Sequence, residues 1–334
     1  MAFVVDAAEW QFHGWTALDV QRAIESFLER VLTARERDEA VWVGDDFQTR
    51  CVLMERDLWS LRSSDSPLQL PEEIWQELVA WLGMAQRYAD QPEWPEGLAE
   101  ALAIAVGSEG ETENADVAWA HHSVRAGRAV ACLGLRREGR QETRSSLGTA
   151  AVWWVRTEEQ CRAFWNEGID IEGDSVAALE RFAAHAFPDL YFHQAVWRGI
   201  AALAGGYAAL SGQVRKYLTT LDAFGRWAFT SAPPALTPGA PVDPDAHAKP
   251  SNQIVERRFH GLGLNMAPEK PNVFADQRCR VPREVAVGNV TLYCEWHGKL
   301  EMHRNRVHVH PPVAESGNRV VIAAFHEHLP LPGG

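Results

Sequence analysis

Six of the chain's thirteen histidines fall between residues 295 and 328 of 334: His297, His303, His308, His310, His326 and His328. They sit in two stretches, EWHGKLEMHRNRVHVHPP and RVVIAAFHEHLPLP. Imidazole is a base, an acid once protonated, and a metal ligand, because it titrates near pH ~6.5. Residues two apart on a strand share a face. That rule puts Glu295, His297 and Lys299 on one side of a first strand and Trp296 and Leu300 on the other. On a second strand Arg306, His308 and His310 oppose Val307 and Val309. On a third, His326 and His328 oppose Val321 and Phe325.

If the three strands pair antiparallel in register, their polar sides coincide. Such a face is open to three readings. It is the solvated side of a one-sided sheet, although such sides draw mainly on Lys, Glu, Thr, Ser and Gln. It is a zinc site of a metal-dependent hydrolase, built from His308, His310 and His297; here the local sequence offers neither an HEXXH motif nor a carboxylate-rich surround. Or it carries metal-independent phosphoryl chemistry on RNA. Internal attack by a 2′-hydroxyl needs a base, an acid for the leaving 5′-oxygen, and cations for the phosphorane charge.

The elements that must hold this face come late in the chain. The first 175 residues alternate strand and helix signals: FVVD, a helix from Thr16 with Asp19 three residues on, AVWVGDD, a helix opening at Pro71 and ending at Gly83, helical NADVAWAHHSVRAG, strands RAVACLGL and AAVWWVRT, and helical EEQCRAFWNEG. This reads as a mixed α/β domain. Its many tryptophans are not interleaved with Lys or Arg, which favours core packing over base stacking. Adjacent His121 and His122 point to different sides of a helix, so a joint ligand role is disfavoured.

From residue 176 the pattern changes to helices, DSVAALERFAAHAF, DLYFHQAVWRGIAALAGG and YAALSGQVRKYLTTLDAFGRWAF, then a stretch from 231 to 252 with six prolines, then period-two strands with a turn at Gly317–Asn318. The proline density predicts an extended surface segment. The whole is expected to be α+β: a regulatory or docking domain over 1–175, then helices on a small antiparallel sheet over 176–334.

The net charge of −13 argues against indiscriminate nucleic-acid binding. From residue 251 onward, ten Lys/Arg stand against eight Asp/Glu, so the acidity belongs to the part before it. No leader-like start and no apolar run of about 18 residues occurs, which predicts a cytoplasmic protein without membrane contact. Five cysteines without a CxxC pair suggest neither a disulfide framework nor a thiolate knuckle. No Walker loop, GxGxxG or Ser-His-Asp spacing is present, and no cofactor is implied.

The order of WHGKL, RVHV and IAAFHEHL behind helices resembles the RelE/ParE-like toxin superfamily over about residues 176–334. That resemblance implies a ribosome-associated mRNA endonuclease in some branches and a gyrase inhibitor in others. It places Lys299 and Arg306 at the basic strand positions and His326 or His328 at the C-terminal functional position. The expected site is therefore catalytic His297, Lys299, Arg306, His308 and His326, with Arg280, Arg283, Arg304 and His328 touching RNA and no metal. The partners are RNA or the ribosome. A protein partner is the alternative, with the face serving as a non-catalytic interaction module.

Overall fold

The computed structural model describes residues 3–241 and 248–333, which divide into two compact units, 1–173 and 174–334. The fold class is α+β.

The first unit runs β1 (Phe3–Val5), α1 (Ala17–Glu36), β2 (Val41–Val43), the hairpin β3 (Cys51–Leu53) and β4 (Arg56–Asp57), α2 (Glu72–Leu82), β5 (Gln86–Arg87), β6 (Ala103–Val106), β7 (Thr112–Glu113), α3 (Ala115–Arg125), β8 (Ala131–Leu133), β9 (Gly139–Ser145), β10 (Gly148–Val155) and α4 (Glu158–Ile171). One sheet has the order β5-β2-β1-β8-β10-β9-β6-β7, with the first five strands parallel. The short central strands are buried runs, as parallel strands covered on both faces must be. α1 starts where Thr16 and Asp19 form a reciprocal capping box. The tryptophans are mostly core: Trp42, Trp75, Trp81, Trp119, Trp154 and Trp165 are buried, while Trp59 and Trp94 are exposed.

The second unit runs α5 (Val176–Ala186), β11 (Leu190–Phe192), α6 (Ala195–Ala201), α7 (Tyr207–Thr230), α8 (Asn252–Gly261), β12 (Met266–Pro268), α9 (Pro271–Ala275), α10 (Gln277–Arg280), β13 (Glu284–Val287), β14 (Val290–Tyr293), β15 (Trp296–Lys299), β16 (Arg306–His310) and β17 (Val320–His326). Its main sheet has the order β11-β17-β16-β15-β12, antiparallel except that β11 joins β17 in parallel.

Four sequence expectations need correction here. DLYFHQAVWRGIAALAGG is not one helix, because Leu190–Phe192 adds to the sheet edge before α6 begins. VTLYCEWHGKL is two strands. β14 pairs with β13, and the chain turns at Cys294, whose amide is held by the Arg283 carbonyl, so that β15 takes new partners in β12 and β16. Val321 lies on the histidine side. Its partner is His310, but a bulge leaves Ala323 unpaired and shifts the register by one, so Arg306 meets His326.

The fourth concerns the proline-rich segment. Ala232 and Ala235 are buried, and the helix α8 that follows the segment was not apparent in the sequence. Arg258 of α8, itself fully buried, donates to the carbonyls of Ala228, Ser231, Ala232 and Ala235 at 2.8–3.3 Å. The start of the segment is thus tied down, and residues 242–247 lie outside the described residues.

Candidate active site on the histidine face of the second unit

The two sides of β15–β17 are built differently. One side packs Trp296, Val307, Val309, Ile322 and Phe325, all essentially inaccessible. Gly298 on that side has no room for a side chain, since a Cβ would run into the Tyr217 ring and lie 2.8 Å from the Met266 sulfur. The Tyr217 hydroxyl from α7 donates to the Lys299 carbonyl at 2.8 Å and accepts from the Asn265 amide at 3.1 Å, which fixes the end of β15. Gly298→Ala is therefore expected to destabilise the second unit by about 2 kcal/mol or more, read as a lowered midpoint in chemical denaturation.

The opposite side carries the histidines. Register pairs His297 with His308, Lys299 with Arg306, and Arg306 with His326. This side is not open to solvent throughout. The β13–β14 hairpin lays Val285, Val287, Leu292 and Cys294 against Val321 and Ala323. His308 is 3% exposed, whereas His297, Lys299, Arg306 and His326 remain partly accessible. The ring centroids of His297 and His308 are 5.9 Å apart and those of His308 and His326 6.1 Å, so the three imidazoles form a row across adjacent strands.

Beside the row stands a buried ion pair that the sequence did not mark. Arg283 Nε lies 2.7 Å from Glu269 Oε1, and Arg283 also donates to the carbonyls of Cys279 and Pro330. The same Glu269 oxygen is 3.6 Å from His297 Nδ1. That separation is beyond a hydrogen bond but within one small adjustment of it. His297 Nδ1, His308 Nδ1 and the Tyr293 hydroxyl are buried atoms without a hydrogen-bond partner. Orphaned buried polar atoms are rare and costly, at about 1–3 kcal/mol each, and three around one ion pair mark a place built for something other than stability.

The electrostatics favour neutral imidazoles. Burial, and then neighbouring His297 and Arg283, push His308 well below its ordinary value. Burial lowers His297 against the pull of Glu269, and burial with Arg283 lowers His326.

The expected site residues thus have different fates. His297, His308, His326 and Lys299 are brought together on one face. Arg306 lies there too, but its guanidinium is turned onto the loop carbonyls of Glu301, Met302, Arg304 and Asn305 at 2.7–3.3 Å. It organises the turn between β15 and β16, where Asn305 adopts φ 58° and pairs with the Ala204 backbone. Arg283 is a buried structural cation instead of an RNA contact. Arg280 lies 2.9 Å from Glu284 and over the Phe274 ring. Exposed Arg304 is paired with Glu301, and exposed His328 lies beyond β17. Among the described residues Lys299 makes no ion pair or side-chain hydrogen bond. Among them, too, no group of three His, Cys, Asp or Glu is placed to hold a metal ion.

Compared with family models, with curated proteins and with solved structures, the chain matches none. The geometry of the chain itself therefore carries the functional argument.

The first unit has a second polar centre, also missed in the sequence although an Asp directly after an apolar strand was its signal. Asp6, Glu9 and Asp116 are buried at the carboxyl ends of β1 and β8, where neighbouring strands diverge in chain order and open α/β sheets commonly bind ligands. Every oxygen is occupied. Asp6 accepts from Asn114, Trp154 and Arg137, Asp116 from the Ala7 amide and the Tyr88 hydroxyl, and Glu9 from the amides of Arg136 and Arg137. The cluster ties strand ends together.

Burial, chiefly, raises Asp116 to about 7. A carboxyl raised on folding favours the protonated native state. Its stabilisation is complete below pH ~4 and is lost as pH rises through about 7. The depressed histidines of the second unit act oppositely, since their contribution is present above pH ~6.5 and lost as pH falls below it. Between pH ~6 and ~4 the first unit should therefore gain stability while the second loses it. Two-transition denaturation curves that converge or separate with pH check this, and Asp116→Asn should remove the first unit's share.

Proposed function

We propose that the second unit is a metal-independent endoribonuclease of the toxin or defence type, with RNA, free or on the ribosome, as substrate. The observation that carries this reading is the row of imidazoles held neutral beside the unpaired ammonium of Lys299. His297 Nε2 takes the proton of a 2′-hydroxyl, with Glu269 orienting the ring through Nδ1. The 2′-oxygen attacks phosphorus, the bond to the 5′-oxygen breaks, and that oxygen leaves with a proton from protonated His326. Lys299 stabilises the added negative charge of the phosphorane. His297 and His326 lie two strands apart, roughly 10 Å, which suits groups addressing the two apical oxygens of an in-line displacement. His308 lies between them as a positioning residue, and Arg306 holds the turn that follows Lys299.

Base and acid are both imidazoles held below their ordinary value. The pH profile of cleavage should accordingly be a bell centred below pH ~6.5. Lys299→Ala should lower the rate about a hundredfold, the usual scale for removing one group that stabilises transition-state charge. Cleavage of a single-stranded RNA by the full chain, with and without ribosomes and across pH 4.5–8, tests both. A bell centred above pH 7, or an unchanged rate in Lys299→Ala, counts against these roles.

The interaction-module reading is favoured by one observation, that Arg283 and Arg306 spend their donors inside the protein. Tight RNA binding with no cleavage under any of these conditions would select it.

A further inference from the structure

On the first unit, α1 and α2 leave an apolar groove of about 440 Å³ between them. Its floor and walls are Leu28, Val31, Leu32, Ala80, Trp81 and Met84. Leu32 is 56% exposed and Met84 55%, large apolar side chains that solvent alone does not explain when they share one concavity. The rim is acidic. Glu25, Glu29 and Glu77 border the groove against a single cation, Arg35, and among the described residues none of the three glutamates is in an ion pair. A second hollow, sharing Val31, Arg35, Trp81 and Met84, extends the trough past Asp38 toward Gln86 at the sheet edge.

We infer that this groove docks an amphipathic, basic helix of a partner protein. The lining residues of α1 run from Glu25 to Arg35, about 15 Å of helix axis, the length over which a docked helix presents anchors at i, i+3 or i+4, and i+7. The acidic rim then pairs with Lys or Arg on the flanks of that helix, and apolar anchors fill the space over Leu28 and Trp81. The same rim disfavours a second copy of this chain, because an isologous contact would set glutamate against glutamate. The edge strand β5 has only two residues, too short to template an added strand as the main contact.

The test uses the full chain and a synthetic 15-residue helical peptide with leucines at i, i+3, i+4 and i+7 and lysines elsewhere. A matched peptide carries glutamate in place of lysine. Binding is read by fluorescence anisotropy at two salt concentrations. The lysine peptide should bind saturably and at least tenfold more tightly than the glutamate peptide. Leu32→Ser/Met84→Ser, exposed positions whose change leaves the fold intact by circular dichroism, should weaken it at least tenfold. Glu29→Lys/Glu77→Lys should do so with loss of the salt dependence. Equal binding of the two peptides, binding unaffected by either double variant, no saturable binding, or a concentration-dependent dimer abolished by Leu32→Ser/Met84→Ser would each overturn the assignment.

Discussion

Arg258→Ala is expected to lower the stability of the second unit by about 3 kcal/mol, enough to move its chemical-denaturation midpoint by roughly 1 M in urea. The guanidinium is fully buried, and its donors satisfy four carbonyls at the end of α7 and the start of the proline-rich segment. Its plane also lies over Trp227, 5.0 Å from the ring centroid. Truncation leaves four carbonyls facing a space that their donor filled. Lysine should recover only part of the loss, because one ammonium cannot reach carbonyls arranged around a planar fork. The unfolding transition of the first unit should not move. A loss within 0.5 kcal/mol of wild type would show that water replaces the guanidinium without cost.

The larger functional effect is expected at His297. His297→Ala removes the proposed base while keeping Lys299 and the RNA surface, so cleavage should fall about 10²- to 10⁴-fold with little change in RNA affinity. Glu269→Gln should fall less, and its pH profile should shift, because an amide orients the ring without the charge that draws His297 upward against burial. An inactive His297→Ala that also fails to bind RNA would mean the imidazole shapes the surface and does not move a proton.

The histidine face was legible because strand alternation is a local property. Residues 296–299 and 306–310 form strands in which every second side chain shares a side, whatever packs on them. Its covering was not legible. The hairpin that buries His308 comes from residues 284–293, and the Glu269–Arg283 pair is joined by folding across 14 positions with no periodic signal. The bulge at Ala323 also left no mark, since VVIAAF is apolar in either register. Arg306 was misread for a related reason. Its type and face suggested a phosphate contact, but carbonyls freed by the tight turn at Asn305 are nearer and are already desolvated. In the first unit, helix starts such as Thr16 and Thr157 were encoded within four residues, whereas the meeting of Asp6 and Asp116 required a sheet that brings positions 110 apart together.

The chemical form of the cut ends tests the central claim most directly. RNA incubated with the full chain in excess chelator should yield fragments ending in a 2′,3′-cyclic phosphate with 5′-hydroxyl partners, because the nucleophile is the substrate's own 2′-oxygen, and His297→Ala should produce none. Fragments with 3′-hydroxyl ends, or cleavage abolished by the chelator, would contradict the account.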